Sequence, residues 1–490
     1  MRKKVLGTLA LLAASAGGAL AQSPSRNPVP VAPAGAYDNS VTQGQYTNPP
    51  IPPQLPPGAV PGPGGYGEMP IQAGDPNARL PNGMPASGMP TYPNGGPYGQ
   101  TPFESPGKQR GGLLGGGQCP SNPGLWFDGS YLLMFPKSQT TGFPLLTTSA
   151  PADAGVLGRP TTTILQGGSN ISLGNASGFR LSGGYFRPSD QRIGGEFVGT
   201  YLAPTSNIFF GNSASNSNGV PVIARPFIDT GSGGNSLLAS FPTYAYGEAL
   251  SRVSTQFWGL EANALVNLYR TGENDSRHWV VNFVAGFRFN QLAESIDVTT
   301  RATLLDGSSA SYNGTTILSP TSVEVRDTFR TKNAFYGGQA GMQSQFSAGH
   351  WYVGLTGKVG VGIIHQEIDV AGTSNASNPV TQINSNSVGG LFANASNIGT
   401  YRNDQFGIVT DLNATLGYQI TPWLVGTIGY NFIHMNAVAR PGNLFDGRVD
   451  GSLIPASGRY GGVSTGSPPF TIKQDDFFVH GLNFGFIARY

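Results

Sequence analysis

Ten stretches of this chain alternate apolar and polar side chains with a period of two, and few folds tolerate that pattern repeated so often. Over 125–135 the odd positions are Leu125, Phe127, Gly129, Tyr131, Leu133 and Phe135, while the even ones include Asp128 and Ser130. Over 406–420 the even positions are Phe406, Ile408, Thr410, Leu412, Ala414, Leu416, Tyr418 and Ile420, against Gly407, Val409, Asp411, Asn413, Thr415, Gly417 and Gln419. Successive side chains of a strand point to opposite faces, so each stretch has one lipid-like face and one that is polar or small. The segments are 125–135, 177–187, 192–203, 254–270, 278–299, 323–346, 350–369, 405–420, 423–437 and 477–490. Most exceed the ~9–11 residues that carry a tilted strand across a bilayer.

The connections alternate in length. Short turns fall at 188–191, 271–277, 347–349 and 421–422, and long Asn/Ser/Gly/Thr-rich loops at 136–176, 204–253, 300–322, 370–404 and 438–476. Short periplasmic turns and long outer loops are the rhythm of outer-membrane barrels. A soluble sandwich shares the alternation but not that rhythm. The expected fold is therefore all-β: an antiparallel transmembrane β-barrel of about ten strands, or twelve if a long loop hides a hairpin. An even count puts both ends of the barrel on the periplasmic side.

Composition agrees. Only 11% of the 490 residues are charged, where a soluble protein carries about 25%. Mean hydropathy is nevertheless near zero, and no apolar run reaches the ~18 residues of a membrane helix. A net charge of +2 weighs against nucleic-acid binding, for which a basic stripe is expected. A single cysteine, Cys119, excludes an intramolecular disulfide framework.

Arg2, Lys3 and Lys4, the apolar run from Val5 to Leu12 and the A-x-A site Ala19-Leu20-Ala21 read as a signal peptide over 1–21, cleaved after Ala21. Residues 22–118 are dominated by Pro, Gly, Asn and Gln, with no period and little apolar surface to offset ordering entropy. They are expected to form a disordered Pro/Gly-rich periplasmic segment, a spacer or a tether contacting cell wall or a periplasmic partner. The barrel takes 119–490. At its end, Leu482, Phe484, Phe486, Ala488 and Tyr490 alternate up to a terminal aromatic. This pattern resembles the signal by which the insertion machinery recognises such barrels, with Phe486, Ala488 and Tyr490 as its last positions. Trp126, Trp258, Tyr269, Trp279, Trp351, Tyr352 and Trp423 fall near strand ends, where interfacial girdles lie.

On this register the inward face carries Asp128, Glu196, Glu261, Glu294 and Asp411 against Arg180, Arg192, Arg288, Lys358 and Arg489. Such charges form either a selective constriction or a network of ion pairs filling a small barrel. Inward glycines at Gly354, Gly360, Gly362, Gly407, Gly417, Gly429, Gly481 and Gly485 leave volume for a narrow aqueous passage.

Several segments, among them "GFRLSGGYFRPSDQRIGGEFVGTYL" (178–202), "FWGLEANALVNL" (257–268), "GFRFNQLAESIDV" (286–298), "NAFYGGQAGMQSQFSAGHWYVGLTGKVGVGIIHQEIDVAG" (333–372) and "DQFGIVTDLNATLGYQITPWLVGTIGYNFIHMNAVARPG" (404–442), resemble the β-barrel porin family numbered seven, which is large in planctomycete-type bacteria. The resemblance spans 125–490. It implies an outer-membrane barrel and carries no catalytic or ligand residues.

The first expectation is a narrow porin for passive diffusion of ions or small polar solutes. The alternatives are a structural or adhesive protein with a plugged barrel and displayed loops, and a barrel hydrolase. His365, near Glu367 and Asp369, and His434 are the nearest thing to a general base. Gly462-Val463-Ser464-Thr465-Gly466 matches G-x-S-x-G, but Pro468-Pro469 follows where a nucleophile elbow needs a helix. No catalytic, cofactor or metal site is expected, the predicted partners are membrane lipid and the insertion machinery, and no protomer interface is identifiable.

Overall fold

Backbone pairing closes the chain into a ring. The computed structural model describes residues 124–187, 191–213, 219–271 and 277–489. The expected signal peptide (1–21), the Pro/Gly-rich segment (22–118), Cys119 and Tyr490 lie outside them, as do parts of the turns at 188–191 and 271–277. Ten barrel strands follow one another: β1 (Leu125–Pro136), β2 (Ala176–Phe186), β3 (Ile193–Asn212), β4 (Ala245–Arg270), β5 (Arg277–Leu304), β6 (Ser322–Ala348), β7 (Trp351–Asn378), β8 (Gly399–Thr421), β9 (Leu424–Ala439) and β10 (Gln474–Arg489). Each pairs antiparallel with its neighbours in sequence. β1 pairs with β10 from Trp126↔Arg489 to Pro136↔Val479, which closes the ring. The turn between β6 and β7 has two residues and begins at Gly349, whose φ of 58° suits a residue without a Cβ.

The outward face is apolar over one band. Phe179–Tyr201, Trp258–Phe289 and Phe289–Tyr336 ring pairs, with centroids 5.4, 4.8 and 4.9 Å apart, mark its edge towards the long loops. Tyr269–Trp279 at 5.6 Å and Trp351–Tyr418 at 5.2 Å mark the edge towards the short turns. From Trp279 to Phe289 along β5 the tilted strand rises about 25 Å, the height of a lipid-facing apolar band. Trp126 and Tyr352 correct the expected girdle. Both sit on the inward register, Tyr352 being 8% exposed.

Several strands run further into the long-loop end than their alternation predicts. β4 begins at Ala245, β3 ends at Asn212 and β7 continues to Asn378. Beyond the lipid the outward face turns mostly polar, with Ile208, Phe210 and Leu250 as exposed apolar exceptions, so the periodic signal fades while the ladder continues. Cross-strand pairs such as Arg301–Glu324 at 2.5 Å decorate this raised wall.

The long loops are themselves folded. Strands Pro144–Thr148, Thr163–Gly167, Ile223–Asp229, Gly233–Ser240 and Arg448–Val449 form a small sheet. Leu145, Leu146, Phe227, Phe392 and Phe445 from the loops pack with Val253, Ile296, Phe329 and Ile368 from the inner wall in one core. Of the other loop strands, Ser309–Tyr312 and Thr315–Leu318 form a hairpin of their own, and Ile383–Val388 extends the sheet by pairing with the end of β7, beyond the last β7–β8 pair; neither adds a strand to the ring, so ten strands stand and twelve do not.

Two anchors fix the cap. Asp327 on β6, fully buried, bonds the equally buried Arg225 and accepts from the backbone N–H groups of Leu391, Phe392 and Ala393 at 3.2, 3.1 and 2.7 Å. Asp450 accepts from Ser452, Ser464, Thr465 and Gly466. Burial opposes ionisation of Asp450, but these donors outweigh it and hold the carboxyl well below its usual range. Asp229 is lowered in the same way, against burial, by Gly231, Ser232 and Arg459.

Asp327→Ala leaves the Arg225 guanidinium buried without its counter-charge, at a cost of about 3–5 kcal/mol. Chymotrypsin should then cleave after Phe227, buried in the native cap, in a barrel whose heat-modifiable band is unchanged; equal resistance in both proteins would refute the anchor. Because Asp450 and Asp229 have depressed folded values, their stabilisation is complete above the unfolded value of about 3.9 and fades as pH falls through the folded ones. Proteolysis of the cap by an acid-active protease should accordingly rise below about pH 4, and Asp450→Asn should remove part of that dependence.

Candidate functional site: the barrel lumen

The inward positions of β5 run through the lumen level by level. From the short-turn end they are Asn282, Val284, Gly286, Arg288, Asn290, Leu292, Glu294, Ile296 and Val298. Each level has a different chemistry.

At the level of Arg288, four charges close a ring. Arg288 lies directly opposite Glu261 across β5–β4, and Lys358 opposite Asp411 across β7–β8. Arg288 Nη2 donates to Glu261 Oε1 at 2.6 Å and, across the lumen, to Asp411 Oδ2 at 2.7 Å. Lys358 Nζ donates to Glu261 Oε2 at 2.5 Å and lies 3.5 Å from Asp411 Oδ2. Arg180 on β2 reaches Asp411 at 3.5 Å. Gln339, Asn263 and Gln343 extend the network to Glu196, with Asn263 Nδ2 3.0 Å and Gln343 Nε2 2.8 Å from its two oxygens. Asp128 accepts from Ser130 at 2.9 Å. Lys358, Arg288 and Asp411 are each 1% exposed, so the ring is enclosed.

Above it the lumen is apolar. Leu132 and Met134, Leu202, Phe257, Leu292, Phe335, Ile364, Val409, Ile433 and Met435, and Phe477 and Val479 form one buried cluster drawn from every strand except β2. Phe257 on β4 and Phe477 on β10 stack across the lumen with centroids 6.2 Å apart. The inward glycines accommodate this layer. A Cβ on Gly337 would stand 2.5 Å from the Phe335 ring, and one on Gly407 2.5 Å from Ile364 Cδ1. The volume expected to hold water is filled here by side chains. Still higher, Arg440 forks onto Glu294 at 2.8 and 3.0 Å and donates to the carbonyls of Lys137 and Ser138, all beneath the cap.

Towards the short turns the lumen opens into a cavity of about 180 Å³. Trp126, Asp128, Tyr352 and Arg489 lie around it, and Arg180, Glu196 and Lys358 lie at its charged end.

Asp128, Arg180, Glu196, Glu261, Arg288, Lys358 and Asp411 thus all face the interior, five of them in direct ionic contact. Arg192, expected beside them, is exposed at the turn before β3. Arg489 stacks on Tyr352, its guanidinium carbon 4.9 Å from the ring centre. Phe486 faces lipid and Ala488 follows on the same register. His365 meets Asp404 at 2.5 Å, rather than Glu367 or Asp369. His434 lies 3.7 Å from Asp476. Ser464 of the G-x-S-x-G stretch donates to Asp450 at 2.6 Å within coil. The residues that alternation alone did not single out are the apolar ones of the sealing layer.

The profile of the family described as "Putative beta barrel porin-7 (BBP7)" matches residues 126–490. No curated protein sequence matches significantly. Among solved structures, the outer membrane protease OmpT from Escherichia coli aligns at 10% identity over 75% of this chain and 96% of its own, with a TM-score of 0.33. A Pseudomonas aeruginosa FadL homologue aligns at 10% identity over 75% and 92%, with a TM-score of 0.15. Outer-membrane expressed OmpT of Vibrio cholerae does so at 9% identity over 75% and 97%, with a TM-score of 0.11. Scores this low carry no functional argument.

Removing one member of the charged ring leaves its partner buried and uncompensated, at a cost of about 3–5 kcal/mol, whereas removing both of an opposed pair costs less. Lys358→Met and Asp411→Asn should each lower the urea midpoint in lipid vesicles, and the double variant should fall by less than the sum. Strict additivity would show that the two residues do not interact.

Proposed function

Because this chain belongs to the "Putative beta barrel porin-7 (BBP7)" family over 126–490, we propose that it is an outer-membrane barrel with a sealed lumen that holds a folded cap and its loops at the cell surface. The supporting observation is the apolar layer, with Phe257 and Phe477 stacked across the barrel axis. A file of water or ions would have to part these rings and lose its hydrogen bonds in doing so. In this reading the short turns face the periplasm and the raised wall of β3–β8 faces outward. The charged ring stabilises the wall. Its contacts are membrane lipid, the insertion machinery and, through the Pro-rich segment, cell wall or a periplasmic partner. No turnover chemistry is assigned.

One observation favours a second reading, passive diffusion of ions or small polar solutes. The cavity at the short-turn end is polar and reaches the charged ring, so a barrel whose apolar layer moved aside would present a charged constriction.

Single-channel recording of the full chain in a planar bilayer separates the two. The sealed barrel should be silent, and Phe257→Gly with Phe477→Gly should produce open levels in a protein that still inserts. Reproducible native openings, with ion selectivity altered by Lys358→Met or Asp411→Asn, would replace this reading with the pore.

A further inference from the structure

The cavity at the short-turn end is blind, since the charged ring and the apolar layer close it from above. A dead-ended hydrophilic recess need not be part of a conduction path. The state of its polar groups indicates what it can hold. Arg180, whose side chain is 14% exposed, has one carboxylate within ion-pair distance, Asp411 at 3.5 Å, lies in the field of Glu261, Glu196 and Asp128, and lines the cavity. Asn483 on β10 lines the same space, is 3% exposed and has no hydrogen-bond partner among the described residues. Arg489 at the mouth is held by the Tyr352 ring and meets no carboxylate within ion-pair distance among the described residues.

The carboxylates of the lining are partly occupied: Glu196 takes amide donors from Asn263 and Gln343 on its two oxygens, and Asp128 takes the Ser130 hydroxyl on Oδ1. Against these two carboxylates the lining sets four cationic side chains, Arg180, Arg270, Lys358 and Arg489, a surplus of positive charge that a carboxylate satisfies in forked geometry. A buried carboxamide with unmet capacity costs free energy until it finds a partner. The Tyr352 and Trp126 rings offer apolar flanks for a short carbon chain. At about 180 Å³ the recess has the liquid volume of roughly six waters.

We propose that this recess is a binding site for a small organic carboxylate entering from the short-turn side, held by Arg180, Arg489 and Asn483. The site is independent of whether the lumen conducts, because it lies entirely below the apolar layer.

Isothermal titration of the full, detergent-solubilised barrel with succinate tests it. Saturable heat is expected, with the neutral isostere succinamide at least tenfold weaker. Arg489→Gln, at the rim and outside the charged ring, should weaken succinate at least tenfold, and Asn483→Leu likewise. Heat-modifiable migration verifies that each variant is folded. Absence of saturable heat in the native barrel overturns the proposal. So does succinamide or inorganic sulfate binding as tightly as succinate, or unchanged affinity in both folded variants.

Discussion

Inside a bilayer a peptide N–H or C=O without a partner has no water to turn to, and each such group costs several kcal/mol. Every strand must therefore be paired on both sides, and a meander of antiparallel strands can achieve this only by joining its first to its last. The β1–β10 ladder does so over eleven residue pairs, Trp126↔Arg489 to Pro136↔Val479. Much else depends on that closure. It curves the sheet, gives each strand an inside and an outside, and turns the period-two alternation into a lipid face and a lumen face.

A ring of ten strands lies near the size at which side chains alone fill the interior. The chain fills it in layers whose order has a physical logic. The cross-lumen pairs Arg288–Asp411 and Lys358–Glu261 tie opposite walls together where backbone hydrogen bonds cannot reach. Ion pairs cut off from water gain little net stability over an apolar filling, but they penalise a wall that slips in register, because any slip separates buried charges. The apolar layer above keeps solvent from that ring on the cap side. Arg440, between the layer and the cap, brings the chain leaving β9 under control of Glu294 on β5.

The ten strands and their faces were legible because lipid on one side and a polar lumen on the other impose a strict alternation. The inward placement of Glu261, Arg288, Lys358 and Asp411 follows from the same register. What alternation hid was the seal, since an apolar residue on the inward face looks like a lapse in the pattern. A signal was present: Leu132-Leu133-Met134-Phe135, Ile363-Ile364, Phe432-Ile433 and Phe477-Phe478-Val479 are apolar on both faces, and their inward members meet in one cluster. The cap was harder to foresee. Leu145-Leu146, Leu391-Phe392 and Leu444-Phe445 are apolar pairs in otherwise polar loops, yet they meet across separations of about fifty residues, as in Phe392–Phe445, to about 250, as in Phe143–Phe392. Arg225 and Asp327 are likewise joined only by the finished tertiary structure.

The origin of the sealing layer has a consequence for assembly. Leu132 belongs to the first strand and Phe477 to the last, and both are needed to complete the layer. A partly built sheet would leave these residues and the four-charge ring facing an open trough of water. The dry interior can therefore arise only after the seam between β1 and β10 is joined, and contacts this distant in sequence form late and slowly. Until then the growing sheet is a wetted trough, and the same seam that closes the ring brings the last members of the layer together.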